Sequence, residues 1–435
     1  MRSSEESIQV LHNLGRAAYR LPVLLLSAVI IVMASTGAPP PAPASAEAVR
    51  ASGIDVHVAT RSPGQNPNLA PRNFANGQSL ILNMHALLFH ERPADVRENL
   101  EYAAWLNAGV VRVFSTDKIG HLNLTGREIG ERIVEMAPLL RQHRLKLIVA
   151  LMDQYREVPG DTSAPLGWMH GYRQLMLPFY SSTWRGSYRE FLSEIILTVK
   201  QHGALDVIWA WELGNEIHTQ ENPSMILRFI DDVTIEIRRI DGVTPILPGT
   251  MGGGILDPGN SDSPIARHLF CEAPIHAYTL HTFDWWDDTG GGDVPIQWDL
   301  QHTTRMTCEN GRALPVIVEE LGTSRELPGV YRADEPWARL DVELRQIRRV
   351  LSYPSVSAIG VWSAESPHVS SVRHDLFRGL TSHQNDDGSS GSCYRPNPGS
   401  RPGTRCELEL ALRALPRLPD MAVVAQGYEA SQRSR

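Results

Sequence analysis

Eight short apolar runs, separated by stretches with helical periodicity, constrain the fold of this chain more than any other feature. Most of the runs are apolar throughout rather than alternating, which is typical of parallel strands whose outer faces are covered by helices. The runs lie at Leu80–His85, Val110–Phe114, Leu145–Leu151, Val207–Leu213, Pro245–Pro248, Ala277–Thr282, Pro315–Val318 and Ala358–Trp362. The pattern predicts an α/β protein, a single-domain (β/α)8 TIM barrel.

The stretches between the runs carry helix signals of their own. Thr125 with Glu128, and Ser187 with Glu190, have the spacing of a capping box at a helix start. Apolar residues at helical spacing follow, as Ile129, Ile133, Met136 and Leu140, then as Phe191, Ile195 and Val199, and later as Leu340, Leu344, Ile347 and Leu351. A weaker fifth helix is expected near Ser263–Phe270, and a last helix at Cys406–Leu415. A doubly wound open sheet is disfavoured because no GxGxxG follows the first run.

The first residues have the composition of a targeting segment. Arg16 and Arg20 precede the apolar run Leu21–Met33, and small residues follow up to Ala46. This order is typical of a secretory signal, and the apolar run is short for a membrane-spanning helix. We therefore predict an exported protein, secreted or periplasmic, or one held at a membrane if the segment is uncleaved. The expected divisions are a signal or anchor at 1–46, a linker at 47–77, the barrel at 78–418 and a polar tail at 419–435.

Cysteine usage agrees with export. The four cysteines allow three pairings, and an oxidising compartment favours two bridges. The sequence-near pairs, Cys271 with Cys308 and Cys393 with Cys406, would close loops on one side of a barrel. No Cys/His cluster has zinc spacing, so a structural metal is not expected. No cofactor is predicted either. The formal net charge of -8 argues against a nucleic-acid partner.

Two glutamates follow apolar runs that would end on the same face of a barrel. Glu216 stands in Trp-Glu-Leu-Gly-Asn-Glu after the fourth run, and Glu320 in Val-Glu-Glu-Leu-Gly after the seventh. Barrel enzymes take catalytic residues from the C-terminal ends of several strands. Cleavage of a glycosidic bond with retention needs one acid/base carboxyl and one nucleophilic carboxylate, about 5–5.5 Å apart. Asn215 is placed to hydrogen-bond a sugar 2-hydroxyl.

These motifs resemble glycoside hydrolase clan A, and within it most closely the cellulase and endo-β-mannanase family, glycoside hydrolase family 5. The resemblance implies that Glu216 is the acid/base and Glu320 the nucleophile. It also implies that Arg112 on the second strand supports the nucleophile and that His281 on the sixth strand is a site residue. Trp362 on the eighth strand would form the floor of the −1 subsite. The implied substrate is an oligo- or polysaccharide of β-mannan or β-glucan type.

The chain departs from this family at one position. The family has a tyrosine two residues after the sixth-strand histidine, and here Phe283 stands there. Either Tyr278 or another group is expected to take its place, or the nucleophile is tuned differently. Strand alternation further predicts that only one of Glu319 and Glu320 points into the cleft, and the resemblance favours Glu320.

Two long loops, 153–184 and 284–298, follow the third and sixth runs and hold the aromatic residues expected to stack on sugars. Trp168 and Trp285 are the principal candidates, and Tyr172, Trp184 and Trp286 are further ones. The aspartates Asp284, Asp287 and Asp288 could bind sugar hydroxyls, although a solvated loop explains them equally well.

Two other functions remain open from the sequence. One is a non-catalytic carbohydrate-binding barrel. The other, less favoured, is a metal-dependent barrel hydrolase that would use histidines at strand ends, namely His85, His90, His276 and His281. The sequence does not determine the oligomeric state.

Overall fold

A computed structural model gives the architecture of the chain, which divides into two compact units, Met1–Gly64 and Gln65–Arg435. It describes residues 80–84, 86–90, 92–116, 124–153, 179–217, 223–250, 264–283, 300, 308–322, 336–353, 355–364, 366–369, 391–396, 402–413 and 415. The first unit lies wholly outside these residues. The signal or anchor, the linker and the polar tail lie outside them as well, so these divisions stay predictions.

Eight parallel strands form one sheet that curves into a barrel, which confirms the predicted fold. The strands are β1 Leu80–Asn83, β2 Val110–Phe114, β3 Lys146–Ala150, β4 Ile208–Glu212, β5 Ile246–Leu247, β6 Tyr278–Phe283, β7 Val316–Gly322 and β8 Val356–Val361. Their order is β5-β4-β3-β2-β1-β8-β7-β6. The two edge strands meet where the backbone N–H of His276 donates to the Ile246 carbonyl at 2.9 Å. This contact brings the barrel close to closure.

Helices follow most of the strands and cover the barrel. Those in the described residues are α1 Pro93–Trp105, α2 Gly126–His143, α3 Ser187–Gln201, α4 Pro223–Ile240, α5 Pro264–Cys271, α6 Pro336–Leu351 and α7 Thr404–Arg413. Within the same part of the chain, none has the length and apolar character needed to cross a membrane. The predicted stripe of α6 packs on the core, with Leu340 and Ile347 buried and Leu344 and Leu351 half-buried.

One predicted capping box is confirmed and the other is wrong. Thr125 accepts from the Glu128 N–H, and the Glu128 side chain accepts from the Thr125 N–H, so α2 starts as expected. Ser187, however, is the first helical residue of α3, and Gly186 occupies the cap position without a side-chain hydrogen bond. The chain enters α3 from a 3-10 turn at Thr183–Arg185, which moves the start of the helix by one residue from the predicted cap.

The barrel interior is filled in layers by alternate residues of the strands. One apolar layer contains one residue from each strand or from the position next to it. These residues are Ile81, Val110, Ile148, Ala210, Leu247, Ala277, Ile317 and Ala358. Two residues further along, strand alternation places the next inward-facing layer. That layer is largely polar, because it contains Asn83, Arg112, Glu212, Thr279 and Glu319, all fully buried.

Two disulfides, Cys271–Cys308 and Cys393–Cys406, join the sequence-near cysteines. The second lies beside a buried polar cluster that attaches α7 to α1. In this cluster Glu409 accepts hydrogen bonds from the Tyr102 hydroxyl at 2.7 Å and from the Cys393 N–H at 2.8 Å. The C-terminal helix is therefore joined to the 391–396 segment by a covalent bond and to α1 by a buried carboxylate.

A bulge in β7 is the main irregularity of the sheet. Val318 pairs with Leu280 and Glu320 with His281, so Glu319 is an extra residue relative to β6. Relative to β8 the register shifts in the same place. The bulged backbone packs directly on Gly360, where a Cβ would lie 1.9 Å from the Glu319 carbonyl oxygen. Only glycine leaves room for this carbonyl.

Replacement of Gly360 by alanine is expected to destabilise the protein, because the added methyl group meets backbone rather than a movable side chain. The expected loss in the free energy of unfolding is about 1–3 kcal/mol, the range for overpacked sites. Urea unfolding measures it. Gly242→Ala is the matched control, since nothing lies within 4 Å of a Cβ there, and it should change stability by less than about 0.5 kcal/mol. Equal stability of the two variants would contradict the packing of the bulge on Gly360.

Candidate active site

The buried guanidinium of Arg112 organises the polar layer. Its Nε and Nη2 donate to the two carboxylate oxygens of Glu212, each at 2.6 Å. Nη1 donates to Glu320 Oε1 at 2.6 Å and to Asn83 Oδ1 at 3.0 Å, and Nη2 also donates to Asn215 Oδ1 at 2.8 Å. These five bonds use all five N–H donors of the side chain. Burial opposes the charge, but Glu212 and then Glu320 raise the pKa of Arg112 well above its usual range.

Asn83 joins Arg112 to the β7 bulge. Its Oδ1 accepts from Arg112, and its Nδ2 donates to the backbone carbonyls of Glu319 at 2.8 Å and Val361 at 3.2 Å. The amide therefore holds the bulged carbonyl on one side and the guanidinium on the other. In this way the side chain of β1 fixes Glu320 with respect to the cation that binds it.

Glu216 lies four residues beyond the end of β4 in a left-handed backbone conformation, with φ of 53°. A non-glycine residue held in this region costs about 1–3 kcal/mol and persists only where neighbours hold it. Here the N–H of Asn215 donates to the Met152 carbonyl at 2.7 Å, and the N–H of Ile217 to the Gly249 carbonyl at 3.1 Å. The strained turn directs Glu216 toward the barrel axis.

Asn215 is held by its side chain as well. Its Oδ1 accepts from Arg112, and its Nδ2 donates to Asp153 Oδ1 at 3.3 Å. Asp153 lies three residues beyond the end of β3, where it also forms a backbone bridge with Asn215. The predicted sugar-binding amide is thus oriented by both a cation and a carboxylate.

His281 connects the two glutamates of the predicted pair. Its Nδ1 lies 2.9 Å from Glu216 Oε1 and 3.6 Å from Glu320 Oε1, and the three groups offer atoms that all lie within 4.8 Å of one another. Glu216 is the more accessible of the two carboxyls, with 11% of its side chain exposed against 3% for Glu320. The two carboxylates therefore converge on one point above the polar layer.

The protonation of these groups follows from burial and mutual charge. Burial lowers the pKa of His281, but Glu320, Glu216 and Glu319 outweigh it and raise the pKa to about 10. Burial also raises the pKa of Glu320, while His281 and Arg112 oppose this shift. At neutral pH the histidine is therefore a cation beside the two carboxyls.

An aromatic pair borders the site on the side of β2 and β8. The rings of Phe114 and Trp362 meet edge to face with centroids 5.7 Å apart, and the Arg112 guanidinium lies 4.7 Å from the centre of the Phe114 ring. Ala150 completes this apolar cluster. Trp362 therefore lies beside the polar layer at the end of β8, where the sequence resemblance placed the floor of a sugar subsite.

The structure brings together most of the residues predicted for the site. Glu216, Glu320, Arg112, Asn215 and His281 form one connected network. Their individual roles stay predictions. The stacking candidates Trp168 and Trp285, with Tyr172 and Trp286, lie outside the described residues, as do Asp284, Asp287 and Asp288.

Two expectations for aromatic residues are wrong. Trp184 was a candidate sugar platform, but it is 2% exposed and packs edge to face on Phe229 of α4 in the helix layer. Tyr278 was a candidate for replacing the family tyrosine, yet its ring packs on Phe270 of α5. The reason in the second case is alternation, because Ala277 points into the barrel and its neighbour must point out.

The expectation that only one of two consecutive glutamates faces inward is also wrong. Glu319 Oε2 lies 3.6 Å from His281 Nε2, and Glu320 Oε1 lies 3.6 Å from Nδ1 of the same ring. Alternation turns Glu319 inward, and the bulge turns Glu320 inward as well. Sequence reasoning also missed Asn83, Glu212 and Asp153, although each is a polar residue at the end of an apolar strand.

Among the described residues, the histidines of the metal-dependent alternative do not form a cluster. His276 lies two residues before β6, where its Nδ1 accepts from the Ile246 N–H, and His90 lies beside Asn99 of α1. His85 lies outside the described residues. Glu216, His281 and Glu320 could by distance alone hold a cation. However, Glu320 Oε1 already accepts a hydrogen bond from Arg112, whose positive charge opposes a second cation beside it.

Removal of the Arg112 charge should leave Glu212 and Glu320 buried without their main counter-ion. Arg112→Met is expected to lower the free energy of unfolding at pH 7 by about 3–5 kcal/mol, measured in urea. The loss should shrink as the pH falls, since the unpaired carboxyls then take up protons in the folded protein. Adding Glu212→Gln should restore part of the stability.

The control for this prediction is Arg141→Met, which breaks an exposed pair with Asp206 of 2.7 Å. It should cost less than about 1 kcal/mol. Equal losses of unfolding free energy in the two variants would mean that the burial of the Arg112 ion pairs adds no stability beyond that of an exposed pair.

No protein-family model and no curated protein matches this sequence. Solved structures do match it. An endo-β-1,4-mannanase from Thermotoga petrophila superposes with a TM-score of 0.54 at 13% identity, over 77% of this chain and 76% of the other. A hyperthermostable endo-1,4-β-D-mannanase from Thermotoga petrophila RKU-1, solved with maltose and glycerol, gives 0.53 at 13% identity, over 78% and 100%.

A mutant of a glycoside hydrolase family 5 mannosidase from Rhizomucor miehei gives a TM-score of 0.51 at 12% identity, over 80% of this chain and 94% of the other. At such identities the likeness shows the fold. The resemblance indicated by the sequence motifs is thereby confirmed for the architecture, and the chain has the (β/α)8 fold of the Thermotoga mannanases and of this family 5 mannosidase.

Proposed function

We propose that the protein is a retaining glycoside hydrolase that cleaves β-linked glycans of β-mannan or β-glucan type by double displacement. The observation that carries the proposal is the approach of Glu216 and Glu320, since one carboxylate oxygen of each lies within 4.8 Å of one of the other. Retaining enzymes hold their two carboxyls about 5–5.5 Å apart, whereas inverting enzymes leave about 6.5–9.5 Å for a water molecule. The spacing supports retention.

The surroundings of each carboxyl support a different role. Glu320 accepts a charge-assisted hydrogen bond from Arg112, which favours its ionised form and suits a nucleophile. Glu216 lies nearer the surface, where a leaving group can depart. We therefore assign Glu320 as the nucleophile and Glu216 as the acid/base.

The proposed reaction has two steps. In the first, a Glu320 oxygen attacks the anomeric carbon while Glu216 gives its proton to the glycosidic oxygen, so that the glycosidic bond breaks and an ester to Glu320 forms. In the second, Glu216 takes a proton from water, whose oxygen attacks the anomeric carbon and releases Glu320 as a carboxylate. Asn215, oriented by Arg112 and Asp153, is placed to bind the 2-hydroxyl during both steps.

The choice of a β-mannan type substrate rests on the structural neighbours, which are named endo-β-1,4-mannanases and a mannosidase. A β-glucan remains the second candidate. The alternative function is a carbohydrate-binding barrel that no longer cleaves its ligand. Export of the protein also stays a proposal, supported by the signal-like composition of residues 1–46 and by the two disulfides.

Hydrolysis of β-mannan, β-glucan and xylan by the full chain and two variants tests the function. We expect reducing ends to appear from one of the first two polymers. Glu216→Ala should lower kcat/KM by about 10²–10⁴-fold, the usual contribution of a general acid/base, and Glu320→Ala should abolish turnover. Binding of a polymer without cleavage by the intact chain would favour the carbohydrate-binding alternative.

Azide separates the two roles in the same variants. Azide can replace the missing base or the missing nucleophile, and each case gives a different anomer of the glycosyl azide. Glu216→Ala should give the β-azide, because the Glu320 ester still forms and is then displaced. Glu320→Ala should give the α-azide by direct displacement. Reversed anomers would mean that the two assignments must be exchanged.

The dependence of kcat/KM on pH should be bell-shaped, since one carboxyl must be ionised and the other protonated. Burial raises the pKa of Glu320, so activity should disappear on the acid side at a pH above the ordinary glutamate pKa of about 4.3. An aryl glycoside with a good leaving group provides the measurement. In Glu216→Ala the acid limb should persist and the basic limb should vanish, and loss of the acid limb instead would contradict the assignment.

A further inference from the structure

Glu319 is a fully buried carboxylate to which the proposed reaction gives no task. Neither of its oxygens has a hydrogen-bond partner among the described residues, and the same is true of Nε2 of His281. Glu319 Oε2 and His281 Nε2 lie 3.6 Å apart, which is longer than a hydrogen bond but close for an ion pair. The two unsatisfied groups therefore face each other.

The backbone fixes this approach. His281 pairs in register with Glu320, and the bulge at Glu319 inserts the extra residue next to that pair. The Asn83 amide binds the Glu319 carbonyl, and Gly360 leaves room for it. The backbone contacts of the bulge therefore hold the Glu319 carboxylate beside Nε2 of His281.

The charges around His281 come from three elements among the described residues. β7 supplies Glu319 and Glu320, the β4 end supplies Glu212 and Glu216, and β2 supplies Arg112. Arg112 already neutralises Glu212 with two hydrogen bonds and shares a third with Glu320. His281 is then the cation left to balance Glu319 and Glu216.

We propose that Glu319 is a positioning residue that acts through His281: its carboxylate lies behind Nε2, keeps the imidazole doubly protonated and so directs the Nδ1–H at Glu216. This inference rests on the proposed function, in which Glu216 alternates between acid and base. The geometry agrees with it, since Nδ1 lies 2.9 Å from Glu216 Oε1.

The consequence for the reaction concerns the proton of Glu216. A protonated His281 can only donate to Glu216, which leaves the Glu216 proton free for the glycosidic oxygen and stabilises the carboxylate that remains. A neutral imidazole with its proton on Nε2 would instead accept from Glu216 and withdraw that proton from the substrate. Burial raises the pKa of Glu319 to about 7, and the raised pKa of His281 places the shared proton on the imidazole at neutral pH.

The first test follows the protonation of His281 directly, by ¹⁵N NMR of the imidazole in the full chain. The signal is assigned by its loss in His281→Gln. In the wild type we expect both ring nitrogens to stay protonated between about pH 5 and 8, where an ordinary histidine titrates. An imidazole that loses its proton with an ordinary pKa in the wild type would overturn the proposal without need of any further variant.

Glu319→Gln should let His281 lose its proton at a pH at least about one unit lower, a tenfold change in proton affinity. Glu319→Asp keeps the charge and should restore part of the shift. Glu343→Gln is the matched control, because Glu343 is also fully buried but lies on α6, and it should leave the His281 titration unchanged. An unchanged His281 titration in Glu319→Gln would overturn the proposal.

The second readout is kinetic. Outer-shell partners of metal-binding histidines typically contribute about 10–100-fold, and we expect kcat in Glu319→Gln to fall by a similar factor. KM should change by less than about twofold, since Glu319 has no exposed surface with which to touch substrate. The basic limb of the pH profile should move as well, which a purely structural role would not produce. A fall in KM alone, with kcat and the profile intact, would contradict the role.

The two proposals fail in distinguishable ways. If the chain cleaves no glycan, the proposed function fails, while the NMR titration still decides whether Glu319 controls His281. If the chain is active and Glu319→Gln changes neither the titration nor kcat, only the role of Glu319 fails.

Discussion

The structure depends on one buried cation, the guanidinium of Arg112. Burial of a charged group away from water costs several kcal/mol unless its hydrogen-bond donors have partners. Five hydrogen bonds to side chains of β1, β7 and the end of β4 supply partners for the guanidinium. Each of these side chains is held in place by its hydrogen bond to the guanidinium. Glu212 gives two parallel bonds, which set the plane of the guanidinium, and that plane directs its remaining N–H groups at Glu320, Asn83 and Asn215. Rigid placement of this kind is what a reaction at a single carbon requires.

The bulge in β7 is the second constraint. In a regular strand, one of two consecutive glutamates would face the helix layer and carry an unpaired charge into apolar surroundings. The bulge turns both toward His281, and Asn83 and Gly360 accommodate its displaced carbonyl. A local departure from sheet geometry thus places three ionisable groups in contact, and such bulges are common beside active sites.

The sequence predicts the strands well where burial on both faces makes them apolar throughout, and β2 has the predicted bounds, Val110–Phe114. Glu216 and Glu320 are also predictable, because both follow such runs. The inward orientation of both Glu319 and Glu320 is not, since the bulge depends on a glycine in β8 and an amide in β1 that are remote in sequence. Trp184 shows the same limit, because a loop tryptophan and a core tryptophan look alike until Phe229 of a later helix is placed beside it.

The two cations of the site differ in a way that matches the two carboxyls they serve. In the proposed reaction the nucleophile must stay ionised, and Glu320 is bound by an arginine, which does not lose its proton. The acid/base must gain and lose a proton in each cycle, and Glu216 is bound by a histidine, whose charge is set by its neighbours. A neutral partner would not stabilise the carboxylate that remains once Glu216 has given up its proton. In the proposed arrangement a protonated His281 stabilises that carboxylate through its Nδ1–H, and the extra residue of the β7 bulge supplies the carboxylate behind Nε2.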